Sequence, residues 1–167
     1  MGSKEHKEQA PHAINFVVIT LSDTRTEKTD ASGKILMEIL ERAGNNLKAY
    51  MLIPNDSEKL EELLSRYTSD DSVDAIITVG GTGISRKDIT IEVVTRMLTK
   101  KLDGFGEIFR MLSYKEIGVS AIMSRAIAGV INGKVIVCLP GSASAVKLAA
   151  TEILISELGH MVYEAKR

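Results

Sequence analysis

Apolar residues along this chain follow two rhythms. In Ile14 to Leu21, Val73 to Val79 and Lys134 to Leu139 they form nearly unbroken runs rich in β-branched side chains, the pattern of strands buried on both faces of a sheet, and Leu47 to Ile53 is a further run of strand length. Between these runs they recur every three or four positions, as the buried stripe of a helix requires. The stripes are Ile35, Leu36, Ile39, Leu40 and Ala43, then Leu60, Leu63, Leu64 and Tyr67, then Ile91, Val94, Met97 and Leu98. A final one, Val146, Ala149, Ala150, Ile153, Leu154 and Leu158, continues toward Tyr163.

Polar residues punctuate the pattern. Asp30 or Ser32 can cap the first helix, and Gly44 stands where a helix ends. Pro54 closes the second strand; Asn55 reads as the cap of the next helix, with Glu58 completing a capping box. The third helix is expected to end in Lys100-Lys101. A further helix carries Ile108, Met111 and Leu112 behind Gly104 and Gly106, which either start it or shape a ligand loop. Ser120 to Ala126 reads as a short helix. Asn132-Gly133, between Ala128–Ile131 and Lys134–Leu139, is a strong hairpin signal.

The resulting order is βαβαβα, then helices, a hairpin and a last helix. It predicts the α/β class: a doubly wound, three-layer α/β/α fold with a mostly parallel sheet and one antiparallel edge hairpin. Residues 14–167 are expected to form a single domain, a length ample for one core. Residues 1–13 read as a disordered polar tail in which His6 and His12 are too isolated to serve as ligands.

Composition removes several classes of function. Lysine and arginine (21) nearly balance aspartate and glutamate (22), and three Phe, four Tyr and no Trp make a poor base-stacking surface; no nucleic-acid partner is expected. With Cys138 as the single cysteine, no intrachain disulfide can form, and its apolar run marks it as a buried small hydrophobe. No apolar run is long enough to span a membrane, and the N-terminus lacks a signal-peptide core. The expected location is cytoplasmic.

Candidate chemistry gathers in Val79 to Asp88, VGGTGISRKD. A buried strand that breaks into glycines before a helix offers backbone N–H groups to an anion. Gly80, Gly81 and Gly83 allow phosphate to approach closely, Thr82 and Ser85 supply hydroxyls, and Arg86 and Lys87 supply charge. Asp88 would repel phosphate unless a cation lay between them, which suggests Mg²⁺. The spacing fits neither the P-loop nor the dinucleotide fingerprint. A strand-to-helix turn without a ligand stays open as the plainer reading.

Other polar or glycine loops also follow strands: Ser22-Asp23-Thr24-Arg25-Thr26, Asn55-Asp56 and Pro140-Gly141-Ser142. In an open α/β sheet such loops share the rim where ligands bind, so one composite site is expected. Asp56 has two readings there, a rim acid or a first-turn acid complementing its helix dipole.

Taken together, Ile19-Thr20-Leu21-Ser22-Asp23, Ile53-Pro54-Asn55-Asp56, Gly80-Gly81-Thr82-Gly83 with Asp88-Ile89-Thr90, Gly104-Phe105-Gly106-Glu107, Ser124-Arg125 and Leu139-Pro140-Gly141 resemble the MogA/MoaB family of molybdenum cofactor biosynthesis. The resemblance runs over nearly all of Ile14 to Tyr163 and is greatest to the MoaB branch. It implies Mg²⁺- and ATP-dependent adenylylation of molybdopterin, with pyrophosphate released. On the family pattern Asp88 is the catalytic carboxylate and the residue near the metal. Gly80, Gly81, Thr82, Gly83 and Ser85 hold the nucleotide or pterin phosphates, while Ser22, Asp23, Ser124, Arg125, Pro140, Gly141 and Ser142 bind the pterin and its phosphate. The resemblance also implies self-association as a trimer or hexamer. Three positions depart from the pattern: Asn55 where an acid is frequent, Val79 for threonine, and Ala143 for proline. The first shifts the expected second acid to Asp56, with Asn55 as helix cap and Asp56 toward the nucleotide. Two alternatives stand beside adenylyl transfer: a molybdopterin-binding protein without efficient catalysis, and a related nucleotide-pyrophosphate hydrolase.

Overall fold

The computed structural model describes Pro11 and residues 13–167. The expected disordered tail, with His6 and His12, falls almost wholly outside the described residues. A six-stranded sheet runs β2-β1-β3-β6-β5-β4, with β1 Asn15–Leu21, β2 Asn46–Ile53, β3 Ala75–Val79, β4 Lys100–Lys101, β5 Ile127–Ile131 and β6 Lys134–Leu139. The four strands β2, β1, β3 and β6 are parallel, and β5 and β4 extend the sheet antiparallel.

Helices cover both faces, so the structure is the three-layer α/β/α sandwich that the alternation predicts. The period of two along β1 explains the division. Phe16 and Val18 enter one core with Leu36 and Leu40 of α1 (Ala31–Arg42), Phe105 and Phe109 of α4 (Asp103–Ile117), and Val146, Ala149 and Leu158 of the final helix. Val17, Ile19 and Leu21 enter the other with Leu60 and Leu64 of α2 (Ser57–Thr68) and Val93 and Val94 of α3 (Thr90–Met97). The final helix, α5 (Ala143–Ala149) and α6 (Ile155–Lys166), is continuous through a π-helical turn at Ala150–Leu154. Cys138 is buried in the sheet, and its thiol is pushed up to about 12 by that burial.

The β5–β6 hairpin turns through Asn132 (φ 49°) and Gly133 (φ 72°), the two positive φ values of a type I′ turn. Three local expectations need correction. Lys100-Lys101 does not end α3: Leu98 leaves the helix in an extended conformation (ψ 130°), and the lysines pair with β5 as an edge strand. Glycine makes that pairing possible, since a Cβ at Gly129 would lie 2.3 Å from the Lys100 carbonyl oxygen. In α4, Ile108 and Met111 face outward, and Phe105, Gly106, Phe109 and Ser113 are buried instead. Gly104 and Gly106 sit in that helix's first turn and shape no separate loop. Residues Gly118–Met123 form a 3₁₀ turn. The third correction, at Asn55, belongs to the site.

Candidate functional site

The carboxyl ends of the four parallel strands bring four loops to one rim. Backbone hydrogen bonds continue from the strands into these loops: Ser22 N–H donates to Ile53 O, and Gly80 N–H to Leu139 O, each at 2.9 Å. The glycine turn is set by crowding. A Cβ at Gly80, whose φ is +96°, would stand 2.4 Å from the Leu21 carbonyl oxygen; one at Gly81, φ +64°, would meet Thr90 Oγ1 at 2.4 Å and Asn55 Oδ1 at 2.7 Å. Only glycine fits so near a neighbouring strand with a positive φ. Thr90 closes the turn, donating from Oγ1 to Gly80 O at 2.8 Å and from N–H to Gly81 O at 2.9 Å.

Asp88 folds back inside this loop. Its Oδ2 accepts from Ser85 Oγ at 2.6 Å and from Ser85 N–H at 2.9 Å. The Ser85 hydroxyl, then the Ser85 and Gly83 amides and the Arg125 charge, overcome partial burial and hold its carboxyl below the ordinary range. Asp88 is therefore ionised at neutral pH. Ser85, expected to meet phosphate, donates its hydroxyl hydrogen bond to Asp88, and Thr82, 5% exposed, lies inside the loop rather than on it. Arg125 Nη1 donates to Gly83 O at 2.8 Å, and its other arm pairs with Glu92. The Arg125 guanidinium thus braces the glycine loop and holds the Glu92 carboxyl below its usual range. Ser124 lies beside it, half-buried, its N–H bonded to Ala121 O at 3.0 Å.

At the second loop the roles of two neighbours are exchanged. Asp56 is the cap of α2, its Oδ1 accepting from Lys59 N–H at 3.1 Å. Asn55 does not cap; its side chain lies against Gly81, with Oδ1 buried and without a partner among the described residues. The Pro54 turn does separate the two residues' directions, but the other way round from the expected one. Asp23 accepts from Asn55 N–H at 2.9 Å and lies 3.8 Å from Lys87 Nζ. The Asn55 backbone and amide, ahead of Lys87, hold the Asp23 carboxyl below the ordinary range.

The fourth loop is anchored by residues that sequence reading had not singled out as site residues. Ser22 Oγ accepts from Arg25 N–H at 3.1 Å, turning the chain so that the Arg25 side chain reaches Gly141 O at 3.0 Å. Ser32 Oγ donates to the same oxygen at 2.7 Å. Ser142 caps the final helix, accepting from Ala145 N–H at 3.3 Å, and Pro140 links it to β6. Behind Arg25 lies Asp30, fully buried, which caps α1 through Gly33 N–H and accepts from Thr20 and Tyr50 hydroxyls, each at 2.7 Å. Only the cap role of Asp30 was legible; Arg25 stood unremarked within a polar loop.

The rim therefore presents two ionised carboxylates, Asp23 and Asp88, a glycine cradle, and guanidinium groups at Arg25 and Arg125. An apolar groove of about 960 Å³ lies elsewhere, at the β4–β5 edge against α6, with Leu102, Phe105, Val130 and Met161 in its wall. It includes none of the rim residues.

Residues 17–160 match the family model described as a probable molybdopterin binding domain. The chain belongs to that family. Curated relatives align with this chain over nearly their whole length. Molybdenum cofactor biosynthesis protein B of Bacillus cereus is 47% identical, with 100% of this chain and 99% of the relative covered. The protein of the same name from Bacillus subtilis is also 47% identical, over 100% and 99%. Among solved structures, a molybdenum cofactor biosynthesis protein B has a TM-score of 0.89 at 45% identity, covering 94% of this chain and 98% of its own. The tungsten cofactor synthesizing protein MoaB from Pyrococcus furiosus has a TM-score of 0.86 at 38% identity, covering 95% and 100%. The four rim loops all fall within the matched span. Among the described residues no helix is long and apolar enough to cross a membrane.

Proposed function

We propose that this chain acts in molybdenum cofactor biosynthesis as a Mg-ATP-dependent molybdopterin adenylyltransferase. The observation that carries the reading is Asp88: an ionised carboxylate held by Ser85 inside a glycine cradle that Arg125 braces. Relatives of the same length named for cofactor biosynthesis support the pathway.

In this reading the terminal phosphate of molybdopterin attacks the α-phosphate of ATP. A P–O bond forms, the bond to the β-phosphate breaks, and pyrophosphate leaves. The nucleophile is already an anion, so the protein needs no covalent intermediate; its work is alignment and charge compensation. Among the described residues no three acidic, imidazole or thiol groups cluster as a resident metal site. A lone ionised carboxylate suits Mg²⁺ carried by a nucleotide, because that ion takes one or two carboxylates and otherwise phosphate and water oxygens. Asp88 would hold it, and its charge would offset that of the phosphates. The amides of Gly80 to Gly83 face the nucleotide phosphates, and Ser22, Asp23, Ser124, Arg125 and the Pro140–Ser142 turn receive the pterin and its phosphate. We assign the charge that faces Mg²⁺ and the phosphates to Asp88 and Asp23, and the cap of α2 to Asp56. The enzyme works in the cytoplasm as a closed trimer or hexamer.

The second reading, a molybdopterin-binding protein without efficient catalysis, draws on Asn55 at the rim and Asp56 in the cap. One experiment separates the two. The chain is supplied with molybdopterin, Mg²⁺ and ATP, and the product is weighed. Adenylylated molybdopterin supports the enzyme; unchanged molybdopterin retained by the protein supports the binder.

A further inference from the structure

Arg25 joins two loops 116 positions apart in sequence. Its Nη2 donates to Gly141 O at 3.0 Å, and its Nη1 reaches Ser32 Oγ at 3.2 Å and Asp30 Oδ1 at 3.5 Å. Ser32 donates to the same Gly141 oxygen at 2.7 Å, so that carbonyl is held from two sides. The clamped turn lies directly on the glycine cradle, since a Cβ at Gly141 would come within 3.3 Å of Gly80 Cα. Arg25 is itself fixed from behind. Asp30 is buried and immobilised by Thr20, Tyr50 and Gly33, and it presents Oδ1 to the guanidinium. A planar fork can address two acceptors in one rigid geometry, which an ammonium on a flexible stem cannot do.

We propose that Arg25 is a positioning residue: anchored on Asp30, it presses the Pro140–Ser142 turn against Gly80 and sets the gap between the two ligand-holding loops. The role rests on the adenylyl-transfer reading for its kinetic consequence, and not for its structural one. A turn displaced by a fraction of an ångström leaves each ligand a surface to bind, yet misaligns the phosphates that must meet. The transfer step then suffers more than either affinity.

The test compares the full chain with R25Q and R25K. Hydrogen exchange measured by mass spectrometry follows residues 139–145, with residues 46–53 as the internal control. In R25Q the 139–145 segment is expected to exchange roughly tenfold faster while the control holds, and the thermal midpoint is expected to fall because buried Asp30 loses its ion pair. Turnover is expected to fall about a hundredfold, the cost of a small misplacement, with KM for each substrate within about threefold. R25K keeps the charge and loses the fork, and is expected to behave like R25Q. Unchanged exchange at 139–145, full rescue by R25K, or turnover falling only in step with thermal stability would each overturn the proposal. If the unmutated chain makes no adenylylated product, the proposed function fails instead, and the exchange measurement still decides the role of Arg25.

Discussion

The backbone N–H of Asn55 donates to Oδ1 of Asp23 across 2.9 Å, fastening the loop after β2 to the loop after β1. The Asn55 side-chain amide adds to that bond, and together they keep Asp23 ionised below the usual carboxylate range. A group depressed in the folded state stabilises it above the unfolded pKa, and that contribution disappears as pH falls through the folded value. Asn55→Asp exchanges the amide for a like charge and leaves only the backbone donor. The Asp23 pKa should rise, and the acid limb of the stability curve should move to higher pH. Carboxyl NMR titration of both proteins checks this; an unmoved Asp23 would show that the amide does not act on it.

Asp56 gives the complementary case. Its Oδ1 holds Lys59 N–H at 3.1 Å, so Asp56→Ala removes a helix cap and should cost about 1 kcal/mol. Thermal unfolding measures that loss. Turnover per folded molecule should be little changed, and a hundredfold fall would return Asp56 to the list of rim acids.

Asp88 should show the reverse. Asp88→Asn keeps the shape, and one oxygen can still accept from Ser85, so the stability cost should stay within about 1 kcal/mol. Adenylyl transfer should fall at least about a hundredfold as the charge facing the metal and phosphates is lost. The variant should also lose part of the acid-side pH dependence, because the depressed Asp88 stabilises the fold above its unfolded pKa and ceases to do so as pH falls through the folded value. Near-normal turnover at saturating Mg²⁺ would remove Asp88 from the mechanism.

These residues also mark how far the sequence was legible. The β-branched runs and helical stripes gave the layers because burial on both faces leaves no polar alternation to misread. Asn132-Gly133 gave its turn because few other pairs take two positive φ values. The rim followed from strand polarity, and Asp88 from a charge beside glycines. Asn55 and Asp56 were exchanged because both are good caps one position apart, and only the Pro54 turn selects between them. Lys100-Lys101 was missed because two residues have no period, and the inward face of α4 was misjudged because that helix carries large apolar side chains on more than one face. Arg25 was invisible as a site residue since its partner, Gly141, is distant in sequence.

Tyr50 offers a test of the buried network. Its Oη donates to Asp30 Oδ2 at 2.7 Å, and burial together with Asp30 raises the phenol's own pKa. Burial opposes the charge on Asp30, but Thr20, Gly33, Tyr50 and Arg25 outweigh it and hold the carboxyl below its ordinary value. Tyr50→Phe deletes one donor to a buried charge, which should cost about 1.5–3 kcal/mol. Asp30 stabilises the fold above its unfolded pKa and less as pH falls through its folded value. The variant's acid unfolding midpoint should therefore rise, and an unaltered midpoint would mean that Tyr50 contributes packing alone.

The outer face of α4 carries the expectation of self-association. Ile108, Met111, Tyr114 and Ile117 on that helix, with Val119, Ile122 and Met123 in the turn after it, are 47–79% exposed. Positions 108, 111 and 114 repeat at three, so these three side chains lie side by side on one part of the helix surface. Contiguous apolar surface of this kind usually marks an interaction site. A closed trimer or hexamer would bury it in repeated copies, since each subunit must meet its neighbour by the same rule. Light scattering should therefore give a mass several times that of the 18.2 kDa chain. Met111→Glu should lower that mass while leaving circular dichroism unchanged, because a substitution on an exposed face typically shifts stability by only about 0.5 kcal/mol. A single-chain mass for the unmutated protein at micromolar concentration would exclude assembly. A multimer unaffected by Met111→Glu would move the interface elsewhere, and the apolar groove at the β4–β5 edge would be the next surface to substitute.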